Sequence, residues 1–218
     1  MDFHDPFASA SHLAFAAFLV FAGLVLGRLA RRHSPFRRWA VALYAASAVL
    51  LYTASGLFHG VRYDAPADRE LFRRLDLSGI FLLVAGSHLP VFAYLLAGRW
   101  RAWMTGSVAV LAGCGIAAVW VADAPNSGTM VPVYAGLAAV GLVPLRKYLR
   151  AVGWRGVGWM FAAAGVYAAG GVCEVLQWPT LWAGVIRPHE LLHVTDIAGT
   201  LVHLGLVVWL AGRASRAA

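Results

Sequence analysis

Cysteine is nearly missing from this chain. The two present, Cys114 and Cys173, stand alone inside apolar stretches. That excludes a disulfide framework and a cysteine-based zinc motif, and both read as packing residues. Charge is scarce as well. Asp, Glu, Lys and Arg make up 13% of the residues and apolar types 61%, against roughly 25% and 45–50% in soluble domains. The N-terminal run from Met1 to Pro6 carries no Lys or Arg. A standard secretory signal is therefore not expected, and the first apolar block is expected to stay in the mature chain. The apolar runs also lack the in/out alternation of a membrane barrel.

What is present is apolar sequence in blocks of about 20 residues, the length that crosses a bilayer core. Seven blocks can be marked, at about 11–30, 39–60, 75–97, 102–121, 131–145, 158–176 and 188–211. The fifth is the shortest and carries Pro132 and Pro144 near its ends. The expectation is an all-α, seven-transmembrane helical bundle, a single integral membrane domain over residues 1–218. Runs of small residues such as Ala162 to Gly165 and Ala168 to Gly171 allow close helix approach.

The net charge is +8, and its distribution sets an orientation. One set of connections holds Arg28, Arg31, Arg32, Arg37, Arg38, Arg99, Arg101, Arg146, Lys147, Arg150, Arg155, Arg213 and Arg216. The other side holds Arg62, Arg69, Arg73, Arg74 and Arg187, diluted by Asp64, Asp68 and Glu70. The positive-inside rule then puts the N-terminus outside and the C-terminus in the cytoplasm, as an odd number of spans requires. The expected location is the bacterial inner (plasma) membrane. The basic residues do not point to nucleic acid, because they offer no folded basic face for groove or strand binding. The expected partners are membrane lipids.

Ionisable residues inside spans are costly, and each is a functional hypothesis by default. Ser55 and His59 lie four apart at the end of the second block, on one helix face. Asp76 opens the third block. His189 and His193 lie four apart at the start of the seventh. The up-and-down topology brings all five to within about two turns of one membrane face. If the second, third and seventh helices adjoin, three imidazoles converge, and three His plus a water is a known catalytic zinc arrangement. Zinc would bring the pKa of that water to about 7 and polarise a carbonyl. Asp76 could then orient a ligand or take a proton, and Ser55 could donate to an oxyanion.

Bland readings compete. One His-x-x-x-His pair is a weak signal by itself, and Asp76 could simply pair with Arg73 or Arg74. Asp196, Thr200 and His203 continue the His189/His193 face inward. His203 lies about ten residues beyond His193, or ~15 Å, too far to share one ion, and reads as a hydrogen-bonded interior residue. Asp196 could support a ligand. Glu190 points off that face, and Glu174 could line the pocket. His88 lies about three turns deeper than Asp76, while His4, His12 and His33 show no partner pattern.

Three runs carry a resemblance: Ser55 through His59; Leu75 and Asp76 through Ser87; and His189 through His193 on to His203. Together they resemble the hemolysin III family and are similar to its eukaryotic relatives, the progestin and adiponectin receptors. The wider superfamily includes alkaline ceramidases. The resemblance covers most of the chain from about Trp39. It implies a seven-helix fold with zinc on His59, His189 and His193, and with Ser55 and Asp76 beside the metal. His88 and Asp196 depart from the family's usual apolar or aromatic choices. The receptors place their N-terminus and metal in the cytoplasm, whereas the charge count here places both outside, as in the ceramidase-like relatives.

The leading expectation is a zinc-dependent hydrolase of lipid amide or ester bonds, ceramidase-like, using zinc-bound water with Asp76 and Ser55 as catalytic groups. The alternative is a sensor or regulator of membrane state in which zinc is structural. A pore-forming cytolysin ranks third, since the chain has no obvious polar pore lining.

Overall fold

The computed structural model describes residues 5–182 and 185–216; His4 lies outside them. Among the described residues, seven α-helices follow one another: α1 Pro6–Ala30, α2 Pro35–Gly60, α3 Pro66–Leu95, α4 Gly98–Val121, α5 Ser127–Ala139, α6 Leu145–Leu176 and α7 Pro188–Arg216. Six of them are long and apolar enough to cross a membrane, and α5 is the shorter one. A 3₁₀ turn at Val140–Leu142 extends α5.

The helix starts follow from local chemistry. α1, α2, α3 and α7 each begin on a proline, whose missing N–H costs nothing at the first helical position. Asp5 caps α1 by accepting from the Ala8 amide at 3.1 Å, and Asn126 caps α5 by accepting from Thr129 at 3.0 Å. At α7, Glu190 reaches back to the Arg187 amide at 2.8 Å, the carboxylate half of a capping box.

Several helices run a turn or so past the expected blocks, α5 begins and ends about a turn earlier than 131–145, and α3 and α6 depart most from the sequence expectation. α3 starts at Pro66 rather than near residue 75, because Glu70 pairs with Arg73 and Arg74 one turn on and holds a polar first segment helical. Arg74 also donates to the Val119 and Ala122 carbonyls at 2.6 and 2.9 Å, a cation on the negative end of α4. α6 starts at Leu145 and breaks at Gly153, where φ is 62°, a conformation that favours glycine. A short N-terminal piece therefore precedes the span itself.

Neighbours in sequence pack together, and α7 returns to α1, so the bundle closes on itself; α3 is the inner helix, touching α2, α4, α5, α6 and α7. At Gly86 of α3, an added Cβ would sit 2.2 Å from the Ser47 hydroxyl of α2, so that pair can approach only with glycine there. Two buried clusters fill the interior, one around Phe81, Phe92, Val108 and Leu206, the other around Phe15, Tyr44, Leu51 and Val207.

The outside is apolar too: Phe21, Leu24, Leu43, Leu50, Val110, Phe161 and Leu201 are exposed. In water such a surface would drive aggregation; in lipid it is the required one. Exposed tryptophans mark two levels. Trp39, Trp103 and Trp154 lie at the basic end, and Trp120, Trp178 and Trp182 at the other, as expected of interfacial aromatic belts. This is an integral membrane helical bundle.

Candidate metal centre

At the end of the bundle marked by Trp120 and Trp178, α2 delivers His59 from its last turn and α7 delivers His189 and His193 from its first two. Their ring centroids are 4.6 Å (His189–His193), 4.7 Å (His59–His193) and 5.3 Å (His59–His189) apart. One nitrogen from each lies within 4.8 Å of the others. Three nitrogens around a tetrahedral zinc, at Zn–N of about 2.0–2.1 Å, are about 3.3 Å apart. The nitrogens are up to about 1.5 Å farther apart than that, so the rings would have to close in on an ion. His59 and His193 are 6% and 4% exposed, and His189 is half-buried.

The chemistry of the donor set fits a metal ion. Both ring nitrogens of His193 are buried without a hydrogen-bond partner among the described residues. A wholly buried polar side chain in that state calls for an explanation, and an imidazole nitrogen aimed at two others provides one. At His189, Nδ1 lies 3.2 Å from the Glu174 carboxylate, which takes its N–H and leaves Nε2 for a metal. The buried His59, His189 and His193 group could hold a metal ion.

The remaining predicted residues are close by. Ser55 is one turn before His59 and buried, and its hydroxyl meets the Asp76 carboxyl of α3. His189 is among the electrostatic neighbours of that carboxyl. Arg73 and Arg74, the alternative partners for Asp76, are engaged with Glu70. Asp76, His189 and Asp196 keep partial accessibility, whereas Ser55, His59 and His193 do not.

Glu174 faces the site from α6, and Ser127 at the start of α5 donates to its other oxygen. The polar groups named so far come from α2, α3, α5, α6 and α7. Ser127 had no signal in the sequence, where the fifth apolar block begins only at about residue 131. Deeper on α7, the Thr200 hydroxyl meets those of Tyr52 and Tyr167, both at 2.7 Å. His203 bonds the Ser87 carbonyl at 2.9 Å, the interior role expected of it. His88 stands between the carbonyls of Val84, 2.7 Å from Nδ1, and Ala138, 3.3 Å from Nε2, and its one N–H donates to one of them. His33 meets Tyr94 and Ser215 at the opposite end of the bundle, and His12 lies against His193, so both have neighbours from other helices that the sequence did not show.

Residues 3–204 match the family model described as haemolysin-III related. The chain belongs to that family. The matched stretch contains all seven helices up to the His203 turn of α7 and every residue of the cluster above, so family membership and the candidate centre concern the same part of the molecule.

Proposed function

We propose that this chain is a zinc-dependent membrane hydrolase acting on an amide or ester bond of a lipid. The observation that carries the reading is the meeting of three imidazoles from α2 and α7 beside a carboxyl and a hydroxyl from two other turns. His59, His189 and His193 would hold the ion. Three imidazoles with no thiolate suit zinc, though also other borderline metals. A bound zinc supplies Lewis acidity, acidifying water and polarising a carbonyl.

The chain's own groups do the rest. Glu174 orients His189 through Nδ1. Asp76 takes a proton at its carboxylate and later returns it to the leaving amine or alcohol. Ser55, released from Asp76 once that carboxylate has taken its proton, turns its O–H to the carbonyl oxygen as charge develops there. Hydrolysis adds one water across the acyl bond and releases a fatty acid. An exposed apolar flank on every helix lets an acyl chain approach sideways from the leaflet. We further propose that the site opens to the outer face of a bacterial inner membrane, on the strength of the charge asymmetry between the two sets of connections.

The test is incubation of purified, zinc-loaded protein with ceramides and phospholipids, with fatty-acid release read by mass spectrometry. Release that disappears in His193→Ala supports the reading. No release across the panel, or turnover that survives His193→Ala, rules it out. The near-complete burial of His59 and His193 favours a second reading, a structural zinc in a sensor of membrane state. It is distinguished by metal-dependent stability without any product.

A further inference from the structure

α1 brings a fourth imidazole to the centre. His12 is 2% exposed, and its ring centroid lies 4.4 Å from that of His193, edge to face. Neither of its ring nitrogens has a hydrogen-bond partner among the described residues. The main-chain carbonyl of His193 is close to the ring but outside hydrogen-bond geometry. The other aromatic neighbour, Tyr52 at 4.9 Å, already has its hydroxyl on Thr200. His12 is not among the three residues whose nitrogens share one small sphere, so it is not itself placed as a ligand.

The position of His12 is held firmly. The Asp5 amide donates to the His59 carbonyl at 3.0 Å. The Ser9 hydroxyl donates to the Gly56 carbonyl at 2.9 Å. Gly56 admits Leu13 so closely that an added Cβ would sit 2.6 Å from it. α1 is therefore fastened to the turn of α2 that carries His59, and His12 follows Ser9 by one turn on the same buried face.

Neutral imidazole has one N–H and one lone pair. If one nitrogen of His193 faces the metal, the other bears the proton and needs an acceptor; ligating histidines nearly always have one. The neighbour that can offer a free lone pair, once the two rings turn out of their present edge-to-face contact, is His12. We propose that His12 is a positioning residue that accepts the N–H of His193, fixing its tautomer and ring orientation for metal binding. The N–H of His12 is then left to turn toward the His193 carbonyl. This inference rests on the metal reading above and adds a residue from a helix that supplies no ligand.

The test uses the full-length protein in detergent or nanodiscs, with Zn²⁺ and Co²⁺ as probes. Zinc affinity is measured by chelator competition, cobalt geometry by its visible absorption, and melting temperature with and without metal. His12→Phe is expected to weaken zinc binding by roughly 10–100-fold and to alter the cobalt spectrum. His12→Gln, which keeps an acceptor, is expected to recover most of both. The metal-free melting temperature of His12→Phe should not fall, because an unpartnered polar group has been removed. Wild-type affinity in both variants, with loss in His193→Ala, overturns the role of His12 alone. So does a melting loss equal with and without metal. Wild-type protein that binds neither probe overturns the metal reading itself and this inference with it.

Discussion

Nδ1 of His189 on α7 lies 3.2 Å from Oε2 of Glu174 on α6, and Ser127 of α5 donates to the other oxygen of the same carboxylate. The contact ties three helices together at a candidate ligand. A carboxylate behind a ligating histidine sets the tautomer and strengthens the metal bond.

Glu174→Ala is therefore expected to weaken zinc binding by about 10–100-fold, with a smaller loss in Glu174→Gln, whose amide oxygen still accepts. Chelator competition on the purified variants measures it. Unchanged affinity in Glu174→Ala would separate this carboxylate from the metal.

Metal removal is expected to destabilise the fold, since the ligands come from both α2 and α7. At free zinc about 100 times its Kd, linkage contributes about 2.7 kcal/mol. For a chain of this length that corresponds to a rise of roughly 5–10 °C in melting temperature. The rise should be absent in His59→Ala. A wild-type protein whose melting is indifferent to chelator would contradict it.

Below the centre, the Thr200 hydroxyl holds those of Tyr52 and Tyr167 at once. Thr200→Val keeps the shape and removes both bonds. Interhelical hydrogen bonds in membranes average about 0.6 kcal/mol, with a maximum near 1.7, so a loss of about 1–3 kcal/mol is expected in an unfolding titration. Thr200→Ser, which retains the hydroxyl, should lose less.

The seven helices were legible because lipid demands long apolar runs and leaves few other ways to satisfy the backbone. Their ends were less so. The first turns of α3 are polar, and only the spacing of Glu70 with Arg73 and Arg74 betrays them. The break at Gly153 is one backbone angle in a run otherwise continuous with α6. For the centre, His-x-x-x-His and Ser-x-x-x-His could be read because each pair shares one helix face. His12 could not: its neighbour His193 is on another helix, and the periodicity of α1 says nothing about what faces it. Ser127 was hidden for the same reason.

Orientation can be read directly in a background lacking Cys114 and Cys173. Arg32 and Asp64 are exposed in the connections on opposite sides of the bundle. Asp64→Cys is expected to react with an impermeant thiol reagent in intact cells, and Arg32→Cys only after permeabilisation. The reverse pattern would turn the molecule over and place the imidazoles at the cytoplasmic face.

The sharpest test is zinc K-edge X-ray absorption on the purified protein. The expected spectrum has three imidazole nitrogens at about 2.0–2.1 Å plus a light-atom scatterer, and loses imidazole scattering in His193→Ala. A protein without stoichiometric zinc, a shell free of imidazole, or a spectrum identical in His193→Ala would contradict a metal held between α2 and α7.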